Sequence, residues 1–224
     1  GVEVAHALET GASTVHAADV NAAGVRLAER AWADLGPVDG VDPFTDPRVT
    51  WRFDEARSVL AATDSQWDLI SVAQAVTRTA EARGLALTEN GVYTAEAFAN
   101  MLTHLVPDGV LALEMYDEAT LTRALFTAAA SLQEEGLAGS DAEALDHMIA
   151  VLDRATSPST PLLLVHRSAP SEGRILTIAR AAESRGMALL HLPNLLENPP
   201  LDAVASGEAS FAALAAAADG VDLT

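Results

Sequence analysis

The sequence contains no cysteine and no lysine. Without cysteine there is no disulfide, no thiolate metal site and no thiol nucleophile. Without lysine there is no Schiff-base amine and no phosphate-gripping lysine of the P-loop kind. Positive charge is scarce altogether. Thirteen basic residues, all arginine, face 32 acids, and the formal net charge is −19. Such a surface repels phosphate backbones and anionic bilayers, so nucleic acid and membrane surface are not expected partners of this segment. The same field favours a small cationic ligand. No apolar run approaches the roughly 18 residues of a membrane-spanning helix, and no secretory leader is visible. A reducing, cytoplasmic setting is the expectation.

What is present is an alternation of short apolar runs with longer helical ones. Residues 1–10 read as a helix with Val4, Ala7 and Leu8 on one face, ended by Gly11. Residues 13–19 read as a strand closing on Asp19. A helix is expected over 21–35, with Val25, Leu27, Ala28 and Leu35 as burial candidates. The Pro/Gly/Asp-rich stretch 36–48 reads as a surface loop. Strand 49–53 closes on Asp54, a short helix covers 55–63, and 67–72 is a strand. Residues 73–90 read as a long loop, 93–106 as a helix, 107–109 as a turn, 110–115 as a strand and 117–135 as a helix ended by Gly136. Downstream, 147–152 and 162–165 read as strands that pair across a Ser/Thr/Pro turn. A helix over 171–185, a strand over 187–192, a loop over 193–200 and an Ala-rich helix over 208–218 follow.

This rhythm predicts an α/β fold with a mostly parallel sheet covered by helices on both faces. The chain reads as a single domain over 1–224, with a cofactor-binding core over 1–135 and a C-terminal part over 136–224. Ligands in such sheets lie beyond the carboxyl ends of the strands. Asp19 and Asp54 fall there. A carboxylate at Asp19 suits both hydroxyls of a ribose, against the alternative of a cap for the helix near Asn21. Asp54, followed by Glu55 and Ala56, suits the exocyclic amine of an adenine, again against a helix cap. Gly1 and Glu3, directly before and within the first helix, read as the tail of a Gly-rich turn that lets backbone approach a nucleotide, against the alternative of an ordinary helix start. The first strand and earlier glycines are then expected in a longer parent. The six histidines form no HExxH or close pair, so no metal site is expected. His16, His147, His166 and His191 read as core or strand-edge residues. Asp39, Asp42 and Asp46 lack the spacing of a calcium loop, and no GxSxG elbow is present.

Taken together, several stretches resemble the spermidine synthase (polyamine aminopropyltransferase) family within the S-adenosylmethionine-dependent methyltransferase fold. They are 1–8, GASTVHAADVN at 11–21, DPRVTWRFDEARSVL at 46–60, WDLISV at 67–72 and LTENGVYTAEAFANMLTHLVPDGVLAL at 87–113, with a looser continuation over 161–194. The Tyr93-Thr94-Ala95-Glu96-Ala97-Phe98 segment is the most specific. The resemblance implies a Rossmann-like sheet. It also implies an adenosyl ligand: S-adenosylmethionine, decarboxylated S-adenosylmethionine or methylthioadenosine. In it, Asp19 matches the ribose-binding acid, and Asp54, Glu55 and Ala56 match the adenine-contacting segment. One departure stands out. Where the family follows its fourth strand with an Asp-rich motif that helps deprotonate the attacking amine, this chain has Ala73 and Val76. Gln74, Glu89 and Tyr93 remain as polar candidates, Tyr93 against the alternative of helix-start packing.

Three readings follow. The first is a transferase moving a methyl or aminopropyl group to a small, amine-type acceptor. The second is a regulatory or structural module that keeps the fold without the chemistry, prompted by Ala73 and Val76. The third is another doubly wound enzyme, such as a nicotinamide-dependent dehydrogenase, in which Asp19 would also meet a ribose. The family resemblance leaves room for a homodimer and for membrane segments elsewhere in a longer parent.

Overall fold

The computed structural model describes residues 1–36, 40–73, 90–156, 159–195 and 199–217. The chain divides into two compact units, Gly1–Asp64 and Ser65–Thr224.

In the first unit, α1 (Val2–Glu9) buries Val4, Ala5 and Leu8, three residues at helical spacing. Gly11, at φ 94°, turns the chain out of it. β1 (Val15–Ala18) runs parallel to β2 (Val49–Arg52), with Val15 level with Val49 and Ala18 level with Arg52. Among the described residues β1 has no other strand neighbour. Between them lies α2 (Ala22–Leu35), capped by Asn21, whose Oδ1 accepts from the Gly24 amide at 2.9 Å. Of the residues expected to be buried in α2, Val25 is, whereas Leu27 is 69% exposed and Ala28 is exposed. The inward face is set by Val25 and Trp32, two turns apart, and Leu27 lies about 200° round from Val25. The stretch 40–48 is more than the surface loop expected. Phe44 stacks on Trp51 at 5.4 Å and meets Trp32 edge-on at 6.2 Å, and the Trp51 indole N–H donates to the Pro43 carbonyl at 3.0 Å. The loop is held because its aromatic ring covers the tryptophans. α3 (Ala56–Ala61) completes the unit.

In the second unit a five-stranded sheet has the order β3-β4-β6-β5-β7. The strands are β3 (Trp67–Ala73), β4 (Leu105–Glu114), β5 (Met148–Asp153), β6 (Thr160–His166) and β7 (Ala188–His191). Of the mostly parallel pairing expected, the parallel part is found in β1·β2 and β3·β4. The β4·β6, β5·β6 and β5·β7 pairs are antiparallel. The connection from β5 to β6 is far shorter than the dozen or so residues a parallel crossover needs, so that pair closes as a hairpin.

The turn expected at 107–109 lies inside β4. The register jumps from Trp67 opposite Leu105 to Leu69 opposite Val110, and the intervening residues loop out. Gly109 allows this. A Cβ there would sit 2.9 Å from the carbonyl oxygens of both Trp67 and Val106. Ser168 Oγ and Arg174 Nη1 donate to the Pro107 and Asp108 carbonyls, Arg167 Nη1 donates to the Leu105 carbonyl, and the Arg167 amide donates to Gly109.

The core lies on both faces of this sheet. α4 (Ala95–Thr103) and α5 (Glu118–Glu134) pack together, with the buried Ser131 hydroxyl bonded to the Ala95 and Thr127 carbonyls. Phe98, Leu102, Leu111, Leu113, Leu132 and Met148 are fully buried. α7 (Glu172–Ser184) presents Ile175, Ala179 and Ala182 to Ile149, Val151 and Leu192. β5 is buried at five consecutive positions, as a strand covered on both faces must be. Two short helices were not expected from the sequence: α6 (Asp141–Asp146), and α8 (Pro199–Ala205), which starts on a proline pair inside the expected loop. α9 (Phe211–Ala217) sets Phe211 against Phe126 at 4.8 Å. Among the described residues no helix is long and apolar enough to cross a membrane.

Candidate functional site

The residues singled out in the first unit stand where parallel strands end. Asp19 immediately follows β1; its amide donates to the Arg52 carbonyl at 3.0 Å, which ties it to the end of β2. Its Oδ1 accepts from the Asn21 amide at 2.7 Å, and the residue is exposed. The cap of α2 is Asn21, not Asp19. The capping bond of α2 therefore makes no demand on the Asp19 carboxylate, and the residue is exposed. A carboxylate so placed can accept from a diol.

Asp54 follows β2 in the same way. Its Oδ1 accepts from the Glu55 amide at 2.8 Å, while Glu55 itself caps α3 by accepting from the Ser58 amide at 3.2 Å. Both capping duties thus fall to the residue nearer the helix, and both strand-end acids are spared. Ala56 opens α3. Phe53, just before Asp54, is 49% exposed and offers an apolar surface beside it. Gly1 occupies the cap position of α1, and the Phe44 ring lies beside it. The register of β1 with β2 brings Asp19 and Asp54 to one end of the two-stranded sheet, on strands roughly 5 Å apart.

In the second unit, Ala73 closes β3 and lies level with Glu114 on β4. Register partners on adjacent strands point to the same face, so the half-buried Glu114 is an acid standing directly beside the alanine. Sequence reading passed over it because it ends an apolar strand with no motif around it. Tyr93 ends a 3₁₀ turn (Asn90–Tyr93) before α4 and is half-buried, with its ring 6.5 Å from that of Phe98. Gln74, Val76 and Glu89 lie outside the described residues.

Three of the four histidines read as core or edge are buried: His147, His166 and His191. His16, on β1, is exposed. His147 Nδ1 donates to the His166 carbonyl at 2.9 Å, which fixes its tautomer, since a carbonyl can only accept. Burial holds His166 down at about 4, aided by the charges of Arg174 and His147, and burial lowers His191 as well.

No protein-family model matches the chain, and no curated protein matches it. Among solved structures, a probable spermidine synthase from Corynebacterium glutamicum ATCC 13032 aligns with a TM-score of 0.50 at 20% identity, over 80% of this chain and 57% of that one. The spermidine synthase from Thermotoga maritima aligns at 0.47 and 14% identity, over 70% and 47%. Human methyltransferase-like protein 13, solved in complex with SAH, aligns at 0.48 and 14%, over 76% and 70%. This chain shares the spermidine-synthase-like fold. The likeness to the Corynebacterium structure is one of fold, and it bears out the α/β architecture read from the sequence. The chain spans about half the length of these spermidine synthases.

Proposed function

We propose that the chain is an adenosyl-cofactor-binding, transferase-like domain. Its donor is S-adenosylmethionine or decarboxylated S-adenosylmethionine, and methylthioadenosine fits the same adenosine-binding residues. The observation that carries the reading is Asp19. It is an exposed carboxylate at the carboxyl end of a parallel strand, released from capping by Asn21. The fold supports it, because open α/β sheets receive nucleosides at this end. Asp19 would accept from the ribose hydroxyls, and Asp54 from the adenine amine beside the Phe53 ring. Gly1 and Glu3 would flank the cofactor's polar tail.

The reaction is a displacement at the carbon attached to sulfonium. A lone pair on the acceptor, a small amine, forms the new bond. The carbon–sulfur pair returns to sulfur as a neutral thioether, and the amine releases a proton. Rate in such a step comes mainly from holding donor and acceptor in line. The chemistry therefore survives the alanine at position 73 better than a mechanism needing a covalent residue would.

Ala73 favours a second reading, a module that binds the cofactor and does not turn it over. One experiment separates the readings. The protein is incubated with labelled S-adenosylmethionine or its decarboxylated form and a panel of amines, and transfer is followed by mass spectrometry, with binding measured in parallel. Turnover supports the transferase. Binding without turnover supports the module. Preferential binding of NAD refutes both.

A further inference from the structure

The second unit contains a recess at the other end of its sheet. Its volume is about 410 Å³, and it is lined by Asp146, Ala169, Pro170, Glu172, Ile175, Pro193, Asn194 and Leu195. The register fixes its position. β6 runs antiparallel to β4, with Leu162 level with Glu114 and His166 level with Val110, so the segment leaving β6 emerges at the amino end of β4. Asp146, just before β5, and the segment after β7 lie at that same end. Ala73 and Glu114, at the carboxyl ends of β3 and β4, lie at the opposite one. The recess is thus distinct from that end of the sheet.

Its walls define what it can hold. The lining is mixed: Ile175, 4% exposed, and the buried Pro193 are apolar, as are Pro170 and Leu195, and the rest is largely polar. The two charged residues lining it are both acids, Asp146 from the end of α6 and Glu172 from the start of α7. The Asn194 amide donates to Asp146 Oδ1 at 3.4 Å. An anion would meet two carboxylates. A bare metal ion fits poorly, because no group of three or more metal-ligating side chains occurs among the described residues, and the volume far exceeds one ion. A recess of this volume, with apolar and polar groups both in its walls, has room for a small molecule.

We infer that this recess binds a small organic cation, an ammonium head held between Asp146 and Glu172 on a hydrocarbon body lying against Pro170, Ile175 and Pro193. Binding there does not depend on the adenosyl reading.

The test is an amide NMR titration of the full chain with hexylammonium, 1-hexanol and hexanoate. The expected result is saturable shifts at Ala169, Glu172, Asn194 and Leu195 with hexylammonium, weaker ones with hexanol and none with hexanoate. Asp146→Asn with Glu172→Gln should weaken hexylammonium by about tenfold or more. Glu183→Gln, an exposed acid near the far end of α7, should leave it unchanged. Glu172 is exposed, so E172Q alone carries the test if D146N disturbs α6. Equal binding of hexanol and hexylammonium, equal loss in E183Q, or no saturable shift at these amides overturns the inference.

Discussion

Lowering the pH should weaken the second unit through His166 before most carboxylates titrate. His166 ends β6 at 2% exposure, and its Nε2 has no hydrogen-bond partner. Its amide donates to the His147 carbonyl at 2.8 Å, so the backbone pins the ring in place. Burial, followed by the nearby charges of Arg174 and His147, lowers it from 6.5 to about 4. The folded state therefore keeps His166 neutral over a range in which the unfolded chain protonates it. Between about pH 6.5 and 4 the unfolded state binds the extra proton, so stability falls as pH falls, and it levels off below about 4. A shift of this size corresponds to about 3 kcal/mol in total, of which about 2.5 is lost by pH 4.5. That is a large part of the stability of an ordinary domain.

The perturbation is His166→Leu, which keeps a similar buried volume and removes the titration. Urea unfolding followed by far-UV circular dichroism at neutral pH and near pH 4.5 gives the two stabilities. The variant should gain about 2.5 kcal/mol relative to wild type over this interval, whatever other groups titrate in common. His191, lowered in the same direction by burial, remains in both proteins and cancels. Parallel stability curves for variant and wild type would refute the reasoning. So would an NMR titration placing the His166 imidazole near 6.5 in the folded chain.

Three further outcomes can be checked on the same preparation. Gly109→Ala should destabilise the second unit by about 1–3 kcal/mol in urea unfolding, because the new Cβ meets two backbone carbonyls that cannot move aside. Asn21→Ala should cost about 1 kcal/mol by removing the cap of α2, whereas Asp19→Ala should cost much less, since Asp19 is not the cap. Ser131→Ala should cost about 1 kcal/mol, as its buried hydroxyl serves both the Ala95 and Thr127 carbonyls, the first of them joining α5 to α4.

The elements that could be read in advance are those whose local pattern and tertiary role agree. The runs that became β1, β2, β3, β5 and β6 are apolar and bounded by turn residues, and the α2 and α5 patterns repeat over several turns. What escaped was short or decided by neighbours. α6 is six residues long, yet it carries its own start signal. Ser140 accepts from the Glu143 amide, and Glu143 reaches back to the Gly139 amide. The 107–109 segment carries the composition of a turn, but it lies inside β4 as a register irregularity, held by Arg167, Ser168 and Arg174 some sixty residues on. At the candidate site, Asp19 and Asp54 were legible because strand-end position alone singles them out. Whether they capped a helix was not, since that depends on which of two adjacent polar side chains reaches the amide. Glu114 beside Ala73 needed the register. The recess of Asp146, Glu172 and Asn194 needed the fold, because those residues are far apart in the chain.

The most direct test of the account is calorimetric titration of the protein with S-adenosylmethionine, decarboxylated S-adenosylmethionine and methylthioadenosine, repeated on Asp19→Ala. The account predicts binding of at least one adenosyl ligand, weakened by about tenfold or more when the Asp19 carboxylate is removed, with the fold unchanged by circular dichroism. A well-folded protein that binds none of the three, or binds them equally well without Asp19, would contradict it.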